Sequence, residues 1–215
     1  MGLLGQCYIK NYPIKGIPNE TINLKLDIYV AENDQNKINI SDEEIRLVAE
    51  NVNKIWNAYG INFNINRLER FIVNNNLVHG ENIKELANDV GKGHLYKDED
   101  KNIDVILIPE FKTRLWILDL GNLFGLEGFY LDSFPSDNRT ISLIVIGTND
   151  VKNETWVIAH ELGHLLGSYD YPYYSGQFNL MTHSGCIKER YHPTILNQNQ
   201  VDSAIRNAKT FTENG

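Results

Sequence analysis

Hydrophobic and polar positions repeat with two different periods in the first third of the chain. Every second position of residues 22–30 is aliphatic and most of the residues between are polar, which predicts a β-strand with one buried face. From residue 45 to 59 the apolar positions recur every three or four residues, which predicts an amphipathic helix. Ser41 and Glu44 form a capping box before this helix, and Gly60 ends it. The pattern therefore predicts a strand followed by a helix.

The rest of the pattern predicts further strands and a closing helix. The nearly continuous apolar run at 103–108 is typical of a central strand covered on both faces, and 128–133 is a further candidate strand. Asn197 and Gln200 can cap a last helix, which has an apolar stripe at 201–211. The other predicted elements are strands at 61–65 and 140–146, a turn near Pro135, and short helices at 81–90 and within 115–124.

These elements predict an α+β fold with an α/β-type N-terminal part. We expect a β-sheet with a backing helix, followed by a smaller loop-rich C-terminal part that ends in a helix. A length of 215 residues suits a single domain. We expect residues 21–167 to form the larger subdomain and 168–215 the smaller one, with residues 1–20 as a candidate leader or pro-segment.

One segment in the second half of the chain has the residues of a metal site. His160 and His164 lie four residues apart, so both imidazoles project from one helix face and can bind one ion, with Glu161 beside them. Gly167 can take the left-handed conformation that ends a helix, after which Asp170 can reach the ion as third ligand. Such a ligand set leaves one position for water, as in a catalytic zinc site. The simpler alternative is a chance histidine pair on an amphipathic helix, which leaves the positions of Gly167 and Asp170 unexplained.

The glycine inside this motif has two interpretations. Gly163 costs ~1 kcal/mol relative to alanine in a helix interior. It indicates either a close approach of another group to the backbone or a residue that is merely tolerated.

The whole pattern resembles a known clan of enzymes. H-E-x-x-H-x-x-G-x-x-D followed by Asn179-Leu180-Met181-Thr182 is similar to the metzincin zinc endopeptidases. Histidine is the commoner third ligand in that clan, and aspartate at 170 resembles the snapalysin-like branch. The resemblance implies a metzincin-like fold, with a twisted mixed sheet of about five strands and an antiparallel edge strand along the cleft. The candidate for that edge is 128–133, and an ordinary hairpin strand is the alternative. The resemblance also implies one catalytic Zn²⁺ bound by His160, His164 and Asp170, and Met181 in a methionine turn beneath the ion.

Hydrolysis of peptide bonds is the activity expected of such a site. Zinc lowers the pKa of a bound water, while Glu161 takes the proton and passes it to the leaving amine. Some metzincins carry a tyrosine two residues after the methionine that stabilises the intermediate, and His183 stands there in this chain. An ordinary hydrogen-bonded loop histidine is the alternative for that position. Glu161 and His183 are therefore the candidate catalytic residues, and a protein or peptide is the expected substrate.

Two other functions stay open at this point. A zinc-bearing protein that holds a partner without cutting it would have no need of Glu161 as a base. A zinc hydrolase of a non-protein substrate, such as cell-wall peptide cross-links, would use the same site. In the family, the loop after the methionine turn walls the pocket for the residue that follows the scissile bond. Lys188, Arg190, Tyr191 and His192 in that loop favour an acidic or polar side chain there.

Composition and charge limit the classes of binding partner that we expect for this chain. The net charge of −8 and a pI near 5.2 disfavour nucleic acid and anionic membranes, because phosphate groups repel an acidic surface. No run of 18 apolar residues is long enough to span a membrane. Residues 1–7 lack the basic start and apolar core of a secretory signal, whereas the resemblance implies a secreted protein. We expect a monomer.

The remaining candidate groups give weaker predictions. Cys7 and Cys186 can form a disulfide, remain free thiols, or act separately, with Cys7 blocking the zinc as in some metzincin zymogens. Residues 98–104 have oxygen-bearing side chains at alternate positions but lack the glycine and glutamate of a calcium loop, so a solvated turn is favoured over Ca²⁺. His79, His94 and His192 have no metal-ligand spacing and are interpreted as structural or surface groups.

Overall fold

The structure is a computed structural model that describes residues 14–32, 40–72, 102–108, 128–136, 139–147, 155–169, 179–182 and 194–213, with the backbone alone for 128–136 and 139–147. The elements are β1 (Ile22–Glu32), α1 (Asp42–Trp56), a 3₁₀ turn (Asn57–Tyr59), β2 (Ile61–Ile72), β3 (Ile103–Ile108), β4 (Gly128–Ser136), β5 (Arg139–Gly147), α2 (Thr155–Leu165) and α3 (Gln198–Glu213). Their order along the chain is the predicted one.

The described strands form one mixed sheet in the order β2-β1-β3-β5-β4. β1 runs parallel to β2 and β3, and β3 runs parallel to β5. β4 pairs with β5 in the antiparallel direction and occupies the edge. The predictions of a central strand at 103–108 and of an antiparallel edge strand that begins at residue 128 are both confirmed.

α1 covers one face of this sheet. The Ser41 hydroxyl accepts a hydrogen bond from the Glu44 N–H at 3.2 Å, and the Glu44 carboxylate accepts one from the Ser41 N–H at 2.9 Å. Gly60 adopts a φ of +74° just after the 3₁₀ turn, a conformation that favours glycine. The buried side of the helix and turn consists of Ile45, Val48, Ala49, Val52, Trp56 and Tyr59.

From Asp27 onward the opposite face of β1 is also buried, which corrects the expectation of a strand with one buried face along its whole length. Asp27 is 2% exposed and Tyr29 is 1% exposed. The two carboxylate oxygens of Asp27 accept hydrogen bonds from the side-chain amides of Asn66 (2.8 Å) and Asn102 (3.0 Å). Burial and the carboxylates of Asp104 and Asp27 raise the pKa of Tyr29 above its ordinary value. Asp27 can be buried in β1 because an amide from β2 and an amide from the residue just before β3 satisfy its carboxylate.

Two strands are longer than predicted. β2 continues to Ile72 because Asn66 forms a bulge: Leu26 pairs with Ile65 and Asp27 pairs with Arg67. The bulge interrupts the alternation on which the prediction rested. β4 continues through Pro135 to Ser136, where a turn was expected, since an edge strand tolerates proline. The helices predicted at 81–90 and within 115–124 lie outside the described residues.

The segment 14–20 lies against the start of α3. The Lys15 N–H donates to the Gln198 side-chain oxygen at 2.9 Å, and the Gln198 side-chain amide donates to the Lys15 carbonyl at 2.8 Å. The subdomain boundaries and the leader at 1–20 stay predictions. In the described part of the chain, no helix combines the length and apolar character needed to cross a bilayer.

Candidate metal centre

The site is built on α2, a helix that is covered on all sides. Its residues are buried except for Thr155 and His164, which are half-buried. His160 is 9% exposed and Glu161 is 7% exposed. The Trp156 ring covers His160, with the ring centres 5.5 Å apart. Polar side chains at this depth require partners, and the partners determine their orientation.

Main-chain carbonyl groups orient both histidines of α2. The His160 Nδ1 lies 2.8 Å from the Leu180 carbonyl oxygen, and the His164 Nδ1 lies 3.0 Å from the Ser168 carbonyl oxygen. A carbonyl can only accept a hydrogen bond, so each Nδ1 carries the proton. In a neutral imidazole the lone pair is then on Nε2. The two Nε2 atoms face each other at 3.1 Å.

This arrangement fits a shared metal ion. Two lone pairs that face each other repel unless a cation lies between them. Two nitrogen ligands of one tetrahedral zinc lie about 3.4 Å apart, given Zn–N bonds of about 2.0–2.1 Å. Nδ1 bonding to main-chain carbonyls is also the usual support of zinc-binding histidines. His160 and His164 therefore have the donor atoms, spacing and tautomers of a zinc-binding pair.

Of the other predicted metal and catalytic residues, the structure describes Glu161. The third-ligand candidate Asp170 and the catalytic candidate His183 lie outside the described residues. Within the part that the structure covers, no three His, Cys, Asp or Glu side chains come together to hold a metal by themselves. Glu161 follows His160 directly in α2 and is buried with it.

A tight turn ends α2 and supplies one of the orienting carbonyls. Gly167 has a φ of +79°. Its N–H donates to the His164 carbonyl at 2.8 Å, and the Ser168 N–H donates to the Gly163 carbonyl at 2.9 Å. These two bonds define a Schellman motif. The turn directs the Ser168 carbonyl back toward the His164 ring.

Met181 lies directly beneath the helix. It is fully buried, and a Cβ placed on Gly163 would collide with the Met181 Sδ and lie 3.1 Å from its Cε. The Trp56 ring lies 3.6 Å from the same point. Of the two interpretations of Gly163, the close approach of another group is therefore the one observed.

The turn at residues 179–182 supplies the other orienting carbonyl. The Asn179 side-chain oxygen accepts from the Met181 N–H at 2.9 Å, and the Asn179 main-chain carbonyl accepts from the Thr182 N–H at 3.0 Å. The Leu180 N–H donates to the Ile195 carbonyl at 2.7 Å. The turn is thereby fixed from within and from the strand-like segment before α3.

Side chains of α3 hold both turns. The amides of Asn179 and Gln200 form two reciprocal hydrogen bonds of 2.8 and 3.1 Å. The Ser203 hydroxyl donates to the Gly167 carbonyl at 3.1 Å, and the Asn207 amide donates to the Leu166 carbonyl at 3.1 Å. The predicted caps are also present: the Gln200 side-chain oxygen accepts from the Asn197 N–H at 2.9 Å, and the Asn197 side-chain oxygen accepts from the Gln200 N–H at 3.0 Å.

Some of these residues could have been found from sequence and some could not. An asparagine two residues before Met181 is typical of a turn closed by its own side chain, so Asn179 gave a signal. The orienting groups of Leu180 and Ser168 are main-chain carbonyls, and every residue has one. Their role therefore has no signature in the sequence.

The remaining predicted groups stay untested. Cys7, Cys186, His79, His94 and residues 188–192 lie outside the described residues. Of the candidate calcium loop, the described residue Asn102 donates its amide to Asp27.

Comparison with known proteins shows what the fold is similar to. No protein-family model and no curated protein matches the sequence. Archaemetzincin from Methanopyrus kandleri matches with a TM-score of 0.52 and 18% identity, over 90% of this chain and 99% of that protein. Metalloproteinase-II from Bacteroides fragilis matches with a TM-score of 0.53 and 16% identity, over 91% of this chain. A chain from the structure of a chaperone–substrate complex matches with a TM-score of 0.55 and 11% identity, over 90% of this chain.

Coverage and identity limit the meaning of these similarities. This chain spans 56% of the Bacteroides metalloproteinase and 35% of the chain from the chaperone–substrate complex. At such identities the similarity concerns the fold. The predicted α+β class is confirmed as a fold shared with two metalloproteinases, and the residues of the site determine the chemistry.

Proposed function

We propose that this chain is a zinc-dependent endopeptidase of the metzincin type, in which His160, His164 and Asp170 bind one Zn²⁺. The observation that carries the proposal is the pair of Nε2 atoms 3.1 Å apart, with both Nδ1 atoms occupied by carbonyls. The fold shared with two metalloproteinases supports the same conclusion.

Glu161 is assigned the proton transfers. A zinc ion at this position supplies Lewis-acid chemistry, because it lowers the pKa of water and stabilises negative charge on a carbonyl oxygen. The Glu161 carboxylate accepts a proton from the attacking water as the new C–O bond forms. It then delivers that proton to the amine nitrogen as the peptide C–N bond breaks. Its burial beside His160 keeps bulk water from this exchange.

The surrounding residues have supporting roles in the proposal. Asp170 adds one negative charge to the ligand set. His183 stabilises negative charge on the peptide oxygen. Residues 179–182 form the methionine turn, and Met181 is its apolar floor against Gly163.

A peptide substrate would lie along β4. β4 is the edge strand of the sheet and contacts α2. An edge strand offers main-chain donors and acceptors to a further extended chain. The proposed substrate is therefore an extended peptide. Secretion and the monomeric state stay predictions.

Cleavage profiling tests the proposal. The zinc-loaded protein is incubated with a mixed peptide library and the products are read by mass spectrometry, beside Glu161→Gln and Glu50→Gln. Glu50 is exposed on α1, so it receives the same chemical change away from the site. We expect the parent and Glu50→Gln to cut at the same positions, and Glu161→Gln to keep zinc but lose about 10²–10⁴-fold in rate.

The opposite outcomes identify the alternatives. Cutting by Glu161→Gln at the parent's rate would remove Glu161 from the mechanism. A parent protein that binds one zinc and cuts no peptide would favour the zinc-bearing binding protein. Hydrolysis of cell-wall peptide cross-links without cutting of ordinary peptides would favour the non-protein substrate.

A further inference from the structure

We propose that α3 positions both metal-binding histidines, with Gln200 acting on His160 and Asn207 acting on His164. The proposal rests on the zinc-binding part of the proposed function. Neither α3 residue touches a histidine, so both are positioning residues.

The first chain of contacts runs from Gln200 to His160. The Gln200 side-chain oxygen accepts from the Asn179 amide at 2.8 Å and from the Asn197 N–H at 2.9 Å, so its rotation is fixed. Asn179 in turn fixes the turn that presents the Leu180 carbonyl to the His160 Nδ1. Asn179 and Gln200 are 2% and 7% exposed. At that depth no solvent water is at hand to replace a lost amide partner.

The second chain of contacts runs from Asn207 to His164. The Asn207 amide donates to the Leu166 carbonyl at 3.1 Å, at the last turn of α2. It packs so closely on Gly167 that a Cβ there would collide with its Nδ2. The same turn presents the Ser168 carbonyl to the His164 Nδ1. Asn207 therefore holds the turn whose Ser168 carbonyl determines which nitrogen of His164 carries the proton.

The two contacts belong to one rigid element. Gln200 and Asn207 are seven residues apart, so they lie on one face of α3, about 10.5 Å apart along its axis. A single helix therefore holds both of the turns that carry the orienting carbonyls. The separation of the two Nε2 atoms follows from this shared support. Partners of this kind change metal affinity by about 10–100-fold when they are lost.

The test reads the two histidines separately in the metal-free protein. In NMR spectra of protein with ¹⁵N-labelled histidine, the ring-nitrogen signals report which nitrogen carries the proton. The spectra are recorded at a pH where the imidazoles are neutral, and His160→Gln and His164→Gln assign the signals. The variants are Gln200→Met, which keeps the length of the side chain, and Asn207→Ala. Lys209→Gln, on the exposed side of α3, is the control.

Each variant should alter one histidine. We expect His160 to lose its fixed Nδ1–H form in Gln200→Met while His164 keeps it, and the reverse in Asn207→Ala. Zinc affinity, measured by competition with a chelator, should fall about 10–100-fold in each variant and stay unchanged in Lys209→Gln.

The proposal is overturned if both histidines keep their tautomers in both variants, or if both change together in each. If Gln200→Met does not fold, Gln200→Glu takes its place in the comparison with Asn207→Ala, because a carboxylate cannot donate to the Asn179 side-chain oxygen as the Gln200 amide does. A parent protein that fails to cut peptides, or fails to bind zinc, counts against the proposed function. The tautomer pattern of the metal-free protein still decides the role of α3 in that case.

Discussion

α1 and α2 lie against each other, and they are stabilised in opposite ways. α1 has a capping box, a buried stripe and an exposed side that includes Arg46, Leu47 and Glu50. α2 has no exposed residue, and its C-terminal turn is held by side chains of α3. The Trp56 indole joins the two helices through a 3.2 Å hydrogen bond to the Ala159 carbonyl. The comparison shows that the structure of α1 is determined locally, whereas that of α2 depends on its neighbours.

The difference suits the task of each helix. α1 covers the sheet, and burying an apolar stripe is enough for that purpose. α2 presents two imidazoles in one tautomer and at one separation, so each ring needs a partner at a fixed position. These partners lie outside the helical residues, one in the turn that ends α2 and one at Leu180, because carbonyls within a helix are already used by its own N–H groups.

The largest expected effect concerns Gly163. Alanine in a helix interior normally stabilises by about 1 kcal/mol relative to glycine. Here the added Cβ collides with Met181, and overpacking costs about 1–3 kcal/mol. We expect the free energy of unfolding of Gly163→Ala, measured in urea, to fall by about 2 kcal/mol. The loss caused by Gly163→Ala should be smaller when it is measured in a protein that already carries Met181→Ala. A gain in stability from Gly163→Ala in the parent would show that α2 obeys the same local rules as α1.

Tyr59 tests where the local character of α1 ends. Its hydroxyl donates to the Thr194 carbonyl at 3.2 Å and accepts from the Leu196 N–H at 2.8 Å. Tyr59→Phe leaves that buried N–H without its acceptor, which costs about 1–2 kcal/mol at neutral pH. Urea unfolding of the two proteins at about pH 8 measures the difference. Equal stabilities would mean that the region after α1 is independent of residues 194–196.

The same tyrosine gives a pH dependence. Burial raises the pKa of Tyr59 above its ordinary value of 10.0, although the Leu196 N–H opposes the shift. A raised pKa means that the stabilising contribution is complete below about pH 10 and is lost as the pH rises further. The parent should therefore lose more stability than Tyr59→Phe between about pH 8 and pH 11. Tyr29, whose pKa is also raised, stays in both proteins, so part of the alkaline loss remains.

The capping box tests whether α1 is stabilised by its own local contacts. Ser41→Ala removes the side-chain acceptor for the Glu44 N–H and should cost about 1 kcal/mol in unfolding free energy. Zinc affinity should not change, because no contact of the metal centre involves the start of α1. A fall in zinc affinity with Ser41→Ala would mean that the two helices are coupled over their whole length.

The smallest effect is expected on the exposed side of α1. Leu47 is 53% exposed, so Leu47→Lys should change the unfolding free energy by about 0.5 kcal/mol or less. A much larger loss in the urea measurement would indicate that this side of α1 is covered in the folded protein.

The predictability of each region follows from the same contrast. The apolar period, the capping box and the terminal glycine of α1 can be recognised within one short stretch of sequence. The same is true of the apolar run of β3 and the apolar stripe of α3. The burial of Asp27 depends on amides from two other strands, and the extension of β2 depends on a bulge at Asn66. At the candidate metal centre, the spacing of His160 and His164 predicted that both imidazoles lie close together on α2. The role of the Leu180 and Ser168 carbonyls could not be predicted, because every residue has a main-chain carbonyl whatever its side chain.

The contacts of α3 also set an order of events during synthesis. Asn179 pairs with a residue 21 positions later, the Gly167 carbonyl with one 36 positions later, and the Leu166 carbonyl with one 41 positions later. A chain still on the ribosome can form α2 long before Gln200, Ser203 and Asn207 have emerged. Until then the two turns lack the side chains that hold them, so the histidine pair takes its final geometry only after translation of α3.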